Sequence, residues 1–493
     1  MKKRIITLAI SFLAVSALSL AQETPSLGIT RDMVGAENLP SVIAPIEAPF
    51  DMPQLQRPVF PKRKSVVRLK AGMDCKAVTS AIQSAIESMN KRGGGQVIVP
   101  AGEWTTGRII LLSNVDLHLS EGCVLHFSPS LEDYLPAVFT RSAGVEGMGP
   151  GSCIYAYKQH NIALTGKGKM VGPENGCEMR QLQIGYGSFD SYVEYDKPAT
   201  ERFYDGRDGG KIFSPTFIGP VECSNVLIEG VSLEHSMFWN IVPVYCDSVI
   251  IRGVNVYSVG VAMGDGMDIE SSRNVLIEYC TLQNGDDCFT LKCGRGIDGL
   301  RVNRPTENIV LRYNLVNGGH GGITCGSETS GMIRNVYGHD CLFCNASVGI
   351  RFKTRRPRGG GGENLYYNRI RMENCGTAIS VDMLGANVYK GTISSDDPQP
   401  VNEFTPTYHD IDIRNLEIVG SKTFLKGTGI PESPGRDIVI DSVNVQAMEF
   451  GKLIHMDGLK LSNAKLQLMS PAMSVTDTKN FQWEEVTVNV MGK

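Results

Sequence analysis

From residue 161 onward the chain repeats one short pattern, and that repeat limits its fold more than any other feature. A small polar residue, most often Asn or Asp, precedes an alternating apolar run, and a second short run follows. The copies are NIALTGKGKMVG from Asn161, NVLIEGVSLEHS from Asn225, SVIIRGVNVYS from Ser248, NVLIEYCTL from Asn274, NIVLRYNLV from Asn308, NVYGHDCLF from Asn335 and NLYYNRIRMEN from Asn364. DIDIRNLEI from Asp410, DIVIDSVNV from Asp437 and NFQWEEVTV from Asn480 continue the series. Start-to-start steps from Asn225 run 23, 26, 34, 27, 29, 46 and 27 residues, so coils of similar core length carry loops of variable length. That is the mark of a solenoid. Strands of this length at this period predict an all-β chain folded as a single-stranded right-handed parallel β-helix. A leucine-rich repeat is excluded by the missing LxxLxL frame, and a propeller by the short period.

Ahead of the repeats stands one helical pattern. Residues 74–90 (DCKAVTSAIQSAIESMN) place Val78, Ile82 and Ile86 on one face, with Asp74 as N-cap and Gly93–Gly95 as the stop before the strand QVIVP. An amphipathic helix there is expected to cap the open end of the stack, because terminal repeats need a polar outer face. Upstream, residues 22–65 are Pro-rich and aperiodic, an extended arm. The first residues read as a secretory signal peptide: basic MKKR, a short apolar run and the small-residue stretch SALSLA, with cleavage expected after Ala21. The run is short for a membrane span and no later segment is longer, so export to the periplasm or the exterior is expected. The expected organisation is a signal peptide at 1–21, an arm at 22–65 and a β-helix catalytic domain at 66–493. A net charge of -4 argues against nucleic acid as a partner. The cysteines number 13, an odd count, and Cys246, Cys280, Cys325 and Cys375 sit inside strand-like runs, where they read as small core residues. Cys341 and Cys344 form a lone CxxC that reads as core or a local disulfide. Three segments break the repeat, at 172–214, 295–306 and 384–406. Long excursions from a rigid stack usually shape binding sites.

The chemistry gathers between Gly264 and Cys288. Asp265 and Asp286 lie 21 residues apart, one coil, and Asp287 follows directly. Adjacent strands sit about 4.8 Å apart, so one turn of the backbone would bring sequence-distant carboxyls side by side. Asp beside Gly is also ordinary turn chemistry. The neighbouring coils decide between the two: GGHGGI leaves His320 uncovered between glycines, and in GIRFK the alternation of a strand puts Arg351 and Lys353 on one face. Five of the eight residues from Arg351 to Arg358 are basic, a patch suited to an acidic sugar because the planar guanidinium can bind both carboxylate oxygens.

Taken together, GDGMD, GDD, GHG and RFK resemble the four ordered motifs (usually NTD, DD, GHG and RIK) of the polygalacturonases, glycoside hydrolase family 28. The similarity extends from about residue 70 to at least 385 and includes the AGEWTTGRIIL, FWNIVPV and GDDCFTLKCGR neighbourhoods. The extended turn before GHGG is similar to bacterial, often exo-acting, members. The resemblance implies a pectic polysaccharide or oligosaccharide as substrate and hydrolysis with inversion, with neither metal nor cofactor. By the same resemblance Asp286 is the general acid, Asp265 and Asp287 activate the water, and His320 tunes the acid. Arg351 and Lys353 hold the uronate carboxylate, and Tyr389 is the nearest counterpart of a downstream substrate-binding tyrosine. Inversion generally goes with carboxyls roughly 6.5–9.5 Å apart, and close like charges raise one pKa. Met263 and Gly264 replace the usual Asn and Thr, Phe352 replaces Ile, and Val242 stands where many relatives carry His. These replacements leave open whether galacturonate or rhamnose lies across the cleaved bond. Two other classes compete. A β-helix polysaccharide lyase would need a calcium-binding acidic cluster and a basic proton abstractor. A non-catalytic polysaccharide-binding β-helix would have no reason to carry the aspartates.

Overall fold

A computed structural model describes residues 27–385 and 394–492; the signal sequence and Tyr389 lie outside the described residues. Helix Cys75–Lys91 opens the domain as the periodicity predicts. The Asp74 carboxylate accepts the Ala77 N–H at 2.8 Å, and Val78, Ile82 and Ile86 are buried against the first coils. Its stop is the glycine run, and the strand Gly95–Val99 that follows is hydrogen-bonded in parallel to Lys64–Val66 before it and Val115–Leu119 after it.

Among the described residues 27 strands join one continuous parallel assembly. Each coil lies in register on the one before: Val226 on Val249, Val275, Ile309 and Val336 form one inward column, every member buried. The polar residue that opens each repeat has a structural reason. All ten, from Asn161 to Asn480, have φ between 50° and 60°. Asn and Asp enter this left-handed region more readily than other side chains, because they can hydrogen-bond locally. Several also bond to the coil before: Asn225 Nδ2 donates to Asn161 Oδ1 at 2.8 Å, Asn308 to Asn274 at 3.1 Å and Asn335 to Asn308 at 3.0 Å. The ladder fixes where each coil turns, and therefore which residues face outward.

The arm has a defined course. Between the inward valines and isoleucines, the outward residues Ala163, Leu227, Ile250, Leu276 and Val310 stack in register and remain apolar. Ile46 and Leu55 of the arm bury this column. Beside it runs a charged column: Arg57 of the arm binds Glu229 at 2.8 Å, Arg252 binds Glu278 at 2.8 Å, and Arg312 binds Glu278 from the next coil. Arg252 and Arg312 also donate to the arm carbonyls of Pro40 and Pro45.

Two of the three interruptions interlock. Arg202 of 172–214 binds Asp298 of 295–306 at 2.7 Å, both buried, and Asp190 binds Arg295 through both carboxylate oxygens at 2.8 and 2.7 Å. The third, 384–406, includes residues outside those described. Among the cysteines, Cys246, Cys280, Cys325 and Cys375 are buried free thiols, and so are Cys341 and Cys344.

Replacing Asn308 with Ala removes two ladder bonds and places an unfavourable residue at positive φ, so a loss of about 2 kcal/mol is expected. Asn308→Gly keeps the backbone freedom and should lose less. Urea or thermal unfolding of both variants checks this; equal losses would assign the effect wholly to side-chain bonding.

Candidate active site

Five successive coils build the floor of the site. Strands Met267–Glu270, Phe289–Lys292, Gly319–Cys325, Ala346–Lys353 and Thr377–Asp382 pair in that order. Their inward residues, such as Ile269, Leu291, Cys325, Phe352 and Val381, are core. Phe352 therefore points away from the site, packed edge-on against Tyr367 and Tyr408. The alternate residues face outward: Glu270 pairs with Lys292 and Lys353 with Asp382 across the ladder, while Thr324 pairs with Arg351.

Asp265 and Asp286–Asp287 sit at the turns entering the first two of these strands. One oxygen from each carboxylate lies within 4.8 Å of the others. The stacking is direct, since the Gly266 N–H donates to the Asp287 carbonyl at 2.9 Å. This separation is shorter than the roughly 6.5–9.5 Å associated with inverting pairs, so carboxyl spacing does not itself carry the stereochemistry. Asp286 Oδ1 accepts from the Asp287 N–H at 2.9 Å and faces His320 Nδ1 at 3.1 Å, while the His320 N–H donates to the Asp286 carbonyl. Asp287 is fully buried: Lys353 Nζ lies 2.5 Å from Oδ2 and Arg351 Nη1 3.1 Å from Oδ1. The glycines around His320 are required by contact. A Cβ on Gly319 would come within 2.8 Å of the Asp286 carbonyl oxygen, and one on Gly321 within 2.6 Å of Asp287 Oδ1.

These environments separate the three carboxyls. Burial, reinforced by the charges of Asp286 and Asp287 and opposed by Lys292, raises Asp265 to about 7. Burial also pushes on Asp286, yet the His320 hydrogen bond and the Lys353 charge leave it below the ordinary carboxylate value. For Asp287 burial is overcome by Lys353 and Arg351, which hold it well below that value. His320 is raised, chiefly by its bond to Asp286 and against its own burial. The carboxyl that is raised is thus Asp265, by burial first and by its carboxylate neighbours second, while Asp286 and His320 titrate as a pair.

A cleft of about 230 Å³ opens over this group, lined by Trp239, Met263, Asp265, Asp286, Lys292, Ser327, Arg351, Lys353, Thr354, Arg355, Asp382 and Gly385. The five cations of the basic run take separate places. Arg351, Lys353 and Arg355 reach the cleft, Arg356 is clamped on Glu432 at 2.5 and 2.6 Å, and Arg358 lies 3.5 Å from Glu328. Val242 is buried in the cluster that holds Trp239, with Phe189 and Phe213 of the 172–214 insertion in the same cluster and Met263 against it. Gly264 cannot carry a side chain here, because its Cβ would meet Val261 at 2.9 Å. This flank is therefore a closely packed loop, with Val261 in the place a side chain at position 264 would need.

The comparisons with known proteins agree with this geometry. The model of Glycosyl hydrolases family 28 matches residues 201–401. Over that segment the chain is similar to glycoside hydrolase family 28. It is a glycoside hydrolase of the polygalacturonase type. An exo-poly-alpha-D-galacturonosidase from Dickeya chrysanthemi is 25% identical over 440 residues, covering 83% of this chain and 68% of the relative. A probable polygalacturonase from Vitis vinifera is 26% identical over 383 residues, 74% of this chain and 70% of that protein. The crystal structure of a hyperthermoactive exopolygalacturonase from Thermotoga maritima superposes with a TM-score of 0.70 at 29% identity, over 86% of this chain and 94% of the other.

The motifs point to six residues that the structure brings together, and leave others unmarked. Lys292, Trp239, Arg355 and Asp382 line the cleft without having been singled out. The available signal was a charged residue at the outward positions of MDIE and FTLK, strands otherwise buried throughout.

Gly321→Ala should displace Asp287 and the His320 turn without disturbing the core. Because small misplacements of a catalytic group cost about 10²-fold, kcat is expected to fall by that order while thermal unfolding stays near wild type. Unchanged kcat would show that the turn tolerates the methyl group.

Proposed function

We propose that the protein is an exported hydrolase that cleaves galacturonate-containing pectin, polygalacturonan or rhamnogalacturonan, from chain ends with inversion of configuration. The observation that carries the proposal is the carboxylate triad at the cleft, edged by Arg351, Lys353 and Arg355. Asp286 is the most exposed of the three carboxylates and stands where a glycosidic oxygen can reach it. It donates the proton held by the Asp286–His320 pair to that oxygen as the C1–O bond breaks. Water adds to C1 from the opposite face and gives its proton to Asp265, whose proton affinity the ionised Asp287 raises. Arg351 and Lys353, oriented by Asp287, meet the uronate carboxylate with paired donors. Support for exo action comes from the Thermotoga maritima exopolygalacturonase likeness and from the 172–214 insertion, whose phenylalanines back one wall of the cleft. Export rests on the N-terminal sequence, and no described helix is long and apolar enough to cross a membrane.

One observation favours a second assignment. A raised carboxyl is the usual mark of a general acid, and here it is Asp265. In that case the roles of Asp265 and Asp286 exchange. Asp286→Asn is expected to lower kcat on oligogalacturonate by about 10²–10⁴-fold. If Asp286 is the acid, a substrate with a leaving group that needs no proton should restore most of the lost rate. If only Asp265→Asn is restored that way, the roles are exchanged. Monomer or dimer as first product, of inverted configuration by NMR, is expected. Long first products or retained configuration would overturn the exo or the inverting assignment.

The pH dependence follows from the same groups. Asp265 works as a base only when ionised, so kcat/KM should rise through about pH 7. It should fall again where the Asp286–His320 pair loses its proton, above the ordinary histidine value. An optimum near pH 4 would be incompatible with Asp265 as the base.

A further inference from the structure

Beside Asp265, at the base of the cleft, one ammonium is enclosed by three carboxylates. Lys292 Nζ lies 3.3 Å from Asp265 Oδ2, 3.3 Å from Asp268 Oδ1 and 3.4 Å from Glu328 Oε2. The fourth side is the face of Trp239, its ring centre 4.0 Å from the nitrogen, and Phe238 stacks on the far face of that ring. All four charged side chains are at least 96% buried. An ammonium has three donors and here meets three carboxylates, a match that no surface ion pair would need. Asp265 and Asp268 come from one coil, Lys292 from the next and Glu328 from the one after, so the cluster exists only in the stacked chain.

We propose that Lys292 is a positioning residue for the hydrolysis: from the base of the cleft its ammonium keeps Asp265 oriented and ionised against the negative charge around it. This rests on the assignment of Asp265 as the group that receives the proton of water. The charges facing Asp265 are Asp286 and Asp287 from the neighbouring turn, Lys353 from two coils on, and Lys292. Those facing Lys292 beyond its direct partners are Glu270, with Arg141 at 4.0 Å from it, and Arg358, 3.5 Å from Glu328. Lys292 is the strongest of the influences that favour the charged form of Asp265, which burial opposes. Glu328 competes with Asp265 for the same ammonium. The two neighbours should therefore move the base in opposite directions.

The test is the pH profile of kcat/KM on oligogalacturonate for Lys292→Met and Glu328→Gln, with thermal unfolding as the check on folding. Without the ammonium Asp265 ionises less readily, so the acid limb of Lys292→Met should move up by about one pH unit or more. At pH 6 the loss should be at least about tenfold and should shrink toward pH 9. In Glu328→Gln the ammonium is shared between fewer carboxylates, and the acid limb should move down. A loss in Lys292→Met that is the same at every pH would overturn the proposal, because packing alone would explain it. Should Lys292→Met fail to fold, Glu328→Gln decides: an unmoved or raised limb overturns the proposal. Asp265→Asn separates the two levels. Near wild-type hydrolysis by that variant would sink the assignment of Asp265 itself. An inactive Asp265→Asn with unmoved limbs in the other two variants would sink only the role of Lys292.

Discussion

Parallel stacking with a fixed register is the constraint on which the molecule depends. A coil that pairs in register with the one before sets its turns about 4.8 Å away, whatever the loops between them do. Asp265 thereby reaches Asp287 across 22 residues of sequence, and Arg351 and Lys353 reach the same carboxylate across 64 and 66. A slip of one residue would send each of these side chains to the other face of its strand. The asparagine and aspartate positions at positive φ, with their bonds from coil to coil, guard against that slip. The geometry of the carboxylate cluster is thus a by-product of the same bonds that hold the stack together.

Stacking also creates the problem that the site must solve. Three carboxylates within 4.8 Å repel one another, and burial makes each charge costlier. The chain answers with a cation or an imidazole for each. Asp287 takes Lys353 and Arg351, Asp286 takes His320, and Asp265 takes Lys292. The compensation is unequal, strongest at Asp287 and weakest at Asp265, whose nearest cation, Lys292, is shared with Asp268 and Glu328. Unequal compensation is what lets neighbouring carboxyls hold different protonation states at one pH, a requirement for acid and base work in a single site.

How much of this the sequence could disclose depends on range. The repeat, the helix at Cys75–Lys91 and the inward columns follow from local periodicity, and periodicity is local information. The outward pairing of Arg351 with Lys353 follows from strand alternation, and the approach of Asp265 to Asp286 and Asp287 from coil length. Lys292 did not stand out, because a lysine ending a strand reads as an ordinary exposed terminus until Trp239, from an earlier coil, is seen to cover it. Nor could the basic run be sorted: whether Arg355 or Arg356 faces the cleft is decided by Glu432, 76 residues further on. The direction of each carboxyl's shift likewise hangs on whether histidine or lysine faces it across the coils. The resemblance to family 28 supplied roles for the motif residues, but it carried nothing about this cluster.

The altered flank at Met263 and Gly264 follows from the same constraint. A turn between two fixed coils can change its sequence only if its own packing closes. Here Val261 fills the place a side chain at position 264 would need, and Met263 takes a position in the cleft. Met263 packs against the cluster of Trp239, Phe189 and Phe213 that ties this wall to the 172–214 insertion. That insertion is in turn bolted to the 295–306 turn by two ion pairs, one of them wholly buried. One wall of the cleft is therefore packed as a unit of loop, insertion and aromatic cluster, while the floor of aspartates and cations is held by the coils.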